Sequence, residues 1–196
     1  MEKGQATKRQ ILEVALLMAT QSSLNDLTIG ALAVAAGMSK SGLFAHFKSK
    51  ENLQLEVLRH AHGLFRETVI EPGAQVDDPL LRLQGMCERW LGWYAPCAKT
   101  CIYISAAVEF DDQEGAVRDK IQRDLALWLG HLRETVEQVI DAGHFVPQSD
   151  AEQFVYELYS LYLGSQSTIW MGIEDDKHSR FKLAFANLVE RYRGAS

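Results

Sequence analysis

Apolar residues return along this chain at intervals of three and four, and no stretch alternates apolar with polar positions between hairpin turns. The pattern predicts an all-α protein of about nine helices. Ile11, Leu12, Ala15, Leu16 and Ala19 stripe the first helix, which gives way to the polar run TQSSLND. Thr28 is suited to cap a short second helix over 28–36, with Gly37 as its left-handed stop. Ser39 caps a third to about Phe47, and Ser49 opens a long fourth that runs to about Ile70, before Pro72 and Gly73. Leu80, Leu83, Cys87, Trp90, Leu91 and Tyr94 stripe a fifth helix, ended by Pro96. A short sixth covers 101–110, although CIYI by itself would also suit a strand. Val117, Ile121, Leu125, Trp128, Leu132, Val136 and Val139 mark a long seventh helix closed by Gly143. Ser149 with Glu152 reads as a capping box for an eighth helix to about Ile173, and a ninth, from about Asp176 to Arg193, aligns Phe181, Phe185, Leu188 and Tyr192.

Composition narrows the class. At 196 residues with 47% hydrophobic and 23% charged content, the chain is long enough to bury a core and too apolar for general disorder. No apolar run approaches the ~20 residues of a membrane span, and MEKGQATKRQ lacks the apolar segment of a secretory signal, so a cytoplasmic location is expected. Cys87, Cys97 and Cys101 are odd in number and suggest reduced thiols. Charge is unevenly placed. Residues 1–62 hold 7 Lys and Arg against 5 Asp and Glu, leaving 13 against 21 for residues 63–196 within a net charge of -6. An acidic body repels nucleic acid, so any such binding would be confined to the mildly basic head.

Residues 28–53, TIGALAVAAGMSKSGLFAHFKSKENL, combine those two short helices around AGMS. Small residues at Ala33, Ala36 and Gly37 let the helices cross closely, and Gly supplies the turn, which makes a helix-turn-helix unit. The polar first turn of its second helix suits a major groove, whose width of about 12 Å admits one α-helix; an ordinary solvated turn is the alternative.

About twenty positions of this segment, in type and spacing, resemble the N-terminal signature of TetR-type transcriptional regulators. The segment CIYISAAVEFDDQEGAVRD is similar to the sixth-helix region of one branch of that family. The resemblance implies a three-helix DNA-binding head, residues 1–62, followed by a helical effector-binding and dimerisation body, residues 63–196. It implies that Lys40, Ser41 and Ala45 face base edges while Thr28, Phe44, His46, Lys48 and Lys50 meet phosphates or the groove. The chemistry agrees, because Lys donates to guanine, Ala touches a thymine methyl, and hydroxyl and ammonium groups at helix starts suit phosphate oxygens. Phe44 stands where the family usually has Tyr, which removes a hydroxyl contact, and Gly30 stands where others carry a longer polar side chain. Lys3, Lys8 and Arg9 would extend phosphate contacts from a flexible arm, or simply solvate the N-terminus.

All four Trp lie outside the head. Trp90, Trp93, Tyr94, Tyr103, Phe110, Trp128, Tyr159, Tyr162 and Trp170, with His131, Ser165 and Gln166 as polar groups, either line a pocket for an apolar small molecule or simply fill the core, which needs several aromatic rings for stability. Gly164 and Ser165 permit close helix approach, and Phe181, Phe185 and Leu188 supply apolar area. The resemblance implies that the last two helices pair into a four-helix bundle in a homodimer; in a monomer they would be core. Cys97 and Cys101 read as a thiol pair or half a metal site, with inert thiols the stronger reading. Glu109, Asp111 and Asp112 would chelate a cation or be solvated, and His144 would complement a helix dipole. No metal motif, phosphate-cradling loop or nucleophile–base pair appears, so no cofactor and no enzyme activity are expected. The expected partners are a palindromic double-stranded DNA operator, a small-molecule effector and a second copy of the chain, with no membrane. The reading is a repressor released by its effector. The alternative is a constitutive or architectural DNA-binding protein without one.

Overall fold

The structure, a computed structural model, describes residues 2–94, 101–173 and 178–194. Its helices are α1 (Glu2–Gln21), α2 (Ile29–Ala35), α3 (Lys40–Phe47), α4 (Lys50–Phe65), α5 (Pro79–Gly92), α6 (Ile102–Glu109), α7 (Ala116–Asp141), α8 (Ala151–Trp170) and α9 (Ser179–Arg193), with no strand among the described residues. The chain divides into two compact units. One comprises Met1–Glu67 with Tyr94–Ala126, the other Thr68–Trp93 with Leu127–Ser196.

In the first unit α1 packs on α4, α2 on α3, and α6 on α1. Ile11, Ala15 and Ala19 of α1 are buried, as are Leu53, Val57, Leu58 and Ala61 of α4, so the 3.6-residue stripe of each helix is the face it buries. Three caps stand where the sequence places them. Thr28 Oγ1 accepts from the Ala31 N–H at 3.1 Å, Ser39 Oγ from Gly42 at 3.1 Å, and Ser49 Oγ from Asn52 at 3.1 Å. Each satisfies one of the N–H groups that a helix start leaves without an internal partner.

The second unit is built from α5, the later part of α7, α8 and α9, with α8 packed against α9. Leu83, Met86, Trp90, Leu132, Val136, Phe154, Leu158, Tyr162, Phe181 and Leu188 are among its buried residues.

Four local expectations are corrected. The fourth helix is α-helical only to Phe65 and continues as a π-helical turn, Arg66–Ile70, and a 3-10 turn, Glu71–Gly73. Pro72 lacks the N–H that would serve the carbonyl of residue 68, and its ring crowds that carbonyl, so an α-helix cannot run on. The cap of α8 is Asp150, whose Oδ1 accepts from the Gln153 N–H at 3.0 Å, and not Ser149; the carboxylate is the stronger acceptor at a helix N-terminus. His144 lies beyond the end of α7, where Gly143 (φ 77) reverses the chain, and its Nε2 is 3.4 Å from Oδ1 of Asp78, the N-cap of α5. Residues 2–21 form one helix, so Lys8 and Arg9 are not on an arm; Lys8 pairs with Glu56 at 2.7 Å and Arg9 with Glu13 at 3.2 Å. Pro96, Cys97 and Asp176 fall outside the described residues.

Candidate nucleic-acid interface and effector region

The helix-turn-helix is set by Gly37. At φ 64 it adopts the left-handed conformation that reverses the chain after α2, and the Met38 N–H donates to the Ala33 carbonyl at 2.9 Å across the turn. α3 then buries only Leu43 and Phe47. The opposite side of that helix carries Lys40, Ser41, Phe44, Ala45 and His46, all exposed, and Lys48 and Lys50 follow, also exposed. Thr28 is exposed too, with its hydroxyl engaged as a cap. The eight residues expected at DNA thus share solvent access on and around one short helix.

Two details sharpen this surface. Lys48 closes α3 at φ 62, a positive value uncommon outside Gly, and the Phe47 carbonyl accepts from the Ser49 N–H at 2.7 Å and from Asn52 Nδ2 at 2.9 Å. A Cβ on Gly30 would meet Thr28 Oγ1 at 3.9 Å and Lys40 Cε at 4.0 Å, so the missing side chain leaves room along the Lys40 stem. Sequence reasoning missed Val34. It stands on α2 with 85% of its surface exposed, an apolar side chain where a solvated face would carry a polar one. Its place in an alanine-rich stripe hides it, because nothing in AVAA says which face turns outward.

The residues expected at an effector lie in both units. In the second, Trp90 stacks on Tyr162 with centroids 3.8 Å apart, lies parallel to Tyr159 at 6.2 Å, and meets Trp128 edge-on at 5.2 Å. His131 joins Trp128 at 6.2 Å, and burial holds its pKa below the usual histidine value. Gln166 and Trp93 are half-buried. Trp170 is 82% exposed at the end of α8 and is not part of this cluster. In the first unit Tyr94 is half-buried, and Tyr103 and Phe110 are buried. The Tyr103 hydroxyl donates to Asp124 Oδ2 at 3.2 Å, and burial followed by the Asp124 charge raises its pKa.

Of the residues expected at a dimer surface, Gly164 is exposed, while Ser165, Phe181, Phe185 and Leu188 are buried within their own unit. Ser165 Oγ lies 3.0 Å from His178 Nδ1. A groove of about 320 Å³ between α8 and α9 is lined by Gly164, Ser165 and Phe181 among others. The apolar side chains these helices leave in solvent are Tyr156, Leu163, Trp170 and Leu183. Among the described residues no three His, Cys, Asp or Glu side chains gather as cation ligands. Glu109, read from sequence as a chelator or a solvated carboxylate, instead accepts from Ser23 Oγ and the Asn25 N–H, each at 3.0 Å.

A helical head with this turn and this exposed face defines a helix-turn-helix DNA-binding protein. The family model described as "Bacterial regulatory proteins, tetR family" matches residues 11–57, and that described as "Tetracyclin repressor-like, C-terminal domain" matches residues 79–185. The chain belongs to the TetR family of transcriptional regulators. It is 26% identical over 181 residues to the HTH-type transcriptional repressor KstR2 of Mycobacterium tuberculosis, covering 87% of this chain and 82% of that one. A shorter match, to the HTH-type transcriptional regulator AcrR of Shigella flexneri, is 31% identical and spans 40% of this chain and 37% of that protein. A TetR regulator from Chloroflexus aurantiacus superposes with a TM-score of 0.83 at 21% identity, over 97% of this chain and 96% of that one. AibR, solved in complex with isovaleryl coenzyme A and operator DNA, superposes at 0.70 and 19% identity, over 97% and 100%. These relatives are regulators, and the chain is a regulator rather than an enzyme. No helix among the described residues is long and apolar enough to cross a membrane.

Proposed function

We propose that the protein is a homodimeric repressor that binds a palindromic operator and leaves it when a small apolar or aromatic effector occupies the body. The observation that carries the reading is the sorting of α3, with Leu43 and Phe47 buried and Lys40, Ser41, Phe44, Ala45 and His46 exposed. Lys40, Ser41 and Ala45 then read base edges, and Thr28, Phe44, His46, Lys48 and Lys50 hold the backbone or the groove wall. The effector contacts come from the aromatic groups around Trp90, Trp128, Tyr159 and Tyr162, with His131 and Gln166 as polar partners. Self-association uses α8 and α9. Gly164 and the exposed Tyr156, Leu163, Trp170 and Leu183 form the contact, over the buried Phe181, Phe185 and Leu188. AibR, solved with isovaleryl coenzyme A and operator DNA, supports the general scheme of a DNA-bound, ligand-responsive regulator, and KstR2 supports the repressor reading.

The test is selection of binding sites from random duplex DNA, followed by shift assays. A dimer should select inverted repeats whose half-sites lie roughly 34–36 Å apart, or at a longer related spacing. Lys50→Ala should weaken binding to all sequences alike and flatten its salt dependence, whereas Lys40→Ala should also relax sequence preference. Unchanged affinity in both variants would remove the assigned contact surface. Ligands that bind the body tightly without altering operator affinity would leave a constitutive DNA-binding protein.

A further inference from the structure

We infer that Glu109 is a positioning residue for DNA binding: its carboxylate latches the end of α6 to the turn that leads into the helix-turn-helix. The inference rests on the DNA-binding reading above and adds the residue through which α6 sets the geometry of the head.

Glu109 is the last residue of α6, and its Oε2 accepts two hydrogen bonds from a segment more than eighty residues earlier, the Ser23 hydroxyl and the Asn25 N–H, both at 3.0 Å. Hydrogen bonds to an ionised acceptor are roughly twice as strong as neutral ones, so the carboxylate is a charge-assisted tie on the turn. The turn is otherwise organised around the same groups. Ser23 Oγ accepts from the Asp26 N–H at 3.2 Å, and Asn25 Oδ1 accepts from Lys50 Nζ at 3.5 Å. The buried Gln54 Nε2 donates to the Leu24 carbonyl at 2.9 Å. Leu24 of the turn is buried and Asn25 half-buried; two residues on stands Leu27, also buried, and then Thr28, the cap of α2. One carboxylate therefore fixes the backbone from which the first helix of the DNA-binding motif starts, and through Asn25 it bears on Lys50 at the start of α4.

The other end of α6 is fixed in the same manner. Tyr103, in its first turn, donates to Asp124 Oδ2 at 3.2 Å, and Asp124 of α7, itself buried, is held by Lys120 Nζ at 2.5 Å with His62 Nδ1 of α4 at 3.6 Å. α6 is thus a strut with a carboxylate contact at each end, and a displacement of its first turn is delivered to residues 23–26. Asp111 and Asp112, exposed neighbours of Glu109, have no comparable bonds among the described residues.

The sign of the effect separates a latch from simple electrostatics. Removing a negative charge from a protein that binds a polyanion strengthens binding in general. Glu109→Ala should instead weaken operator binding, by about tenfold for the loss of two bonds that order the turn. Glu109→Gln keeps a carbonyl acceptor and should stay within a few fold of the parent, and Asp112→Ala should bind as tightly as the parent or tighter. Amide exchange supplies a readout that does not require DNA. The Asn25 amide should lose protection in Glu109→Ala and keep most of it in Glu109→Gln. If Glu109→Ala lowers the melting temperature yet binds operator like the parent, or if the Asn25 amide exchanges at the parent rate, the inference is overturned. A parent that binds no operator would count against the proposed function alone, and the Asn25 exchange would then decide the latch by itself.

Discussion

Trp90 and Tyr162 lie face to face, ring centroids 3.8 Å apart and planes 16° from parallel, inside the second unit. Both are almost wholly buried, and Trp128 closes the stack edge-on. Offset stacking and edge contacts add about 0.5–1.5 kcal/mol per pair to the burial of the rings. A ligand that uses these rings must therefore part or replace an existing contact. Tyr162→Ala should destabilise the protein by about 3–5 kcal/mol, as large aromatic truncations in cores do. It should also shift the emission of Trp90 and open a cavity that takes up indole. Urea unfolding and fluorescence titration measure both effects, and a loss below ~1 kcal/mol would mean that the stack is not a packed element.

The turn of the DNA-binding motif rests on backbone conformation at Gly37 and on nothing crowding it. A Cβ there meets no atom within 4 Å, so a substitution is strained by φ alone. Gly37→Ala should cost about 1–2 kcal/mol of stability, visible as a lower urea midpoint. Operator affinity at a temperature where the variant is fully folded should fall little, because the exposed side chains of α3 are untouched.

Thiol chemistry should not control DNA binding. Cys87 and Cys101 are buried, and burial pushes the Cys87 thiol far above its ordinary range, away from the reactive thiolate. Replacing Cys97 and Cys101 by Ser should leave a protein whose operator affinity, like the parent's, ignores mild oxidant and reductant. A redox response in the parent that the variant lacks would contradict this.

Stability should decline on mild acidification. Burial lowers the pKa of His60 and of His131 below 6.5, so in the window beneath that value the unfolded chain binds protons that the folded chain refuses. Stability is then complete above about pH 6.5 and falls as pH drops below it, the slope set by the excess protons of the unfolded state. His131→Asn should flatten the fall in urea midpoint between pH 7.5 and pH 5.5, and an unaltered slope would exclude His131 as its source.

The helices and the motif were legible in the sequence because their causes are local. Thr28, Ser39 and Ser49 cap the helices they precede, Gly37 takes the left-handed turn, and the apolar spacing of α1 and α7 marks the face each one buries. The TetR signature lies in the same contiguous run, which is why the family is legible there and why the residues proposed for DNA contact are read from it. What the chain order does not contain is which distant groups meet. Asp150 outcompetes Ser149 as the cap of α8, and His144 turns to Asp78 rather than to its own helix end. The spacing of α9 puts Phe181, Phe185 and Leu188 on one face without saying whether that face is core or a surface for a second copy; they are buried within their own unit because α5 and α8 lie beside them. The same limit hid Glu109. In EFDD it is one of three carboxylates, and only folding, which carries α6 to the turn at 23–25, selects the one that accepts the head's unpaired donors. Local conformational preferences are fixed by neighbours in sequence, whereas hydrogen-bond partners and buried faces are fixed by which surfaces exclude water together.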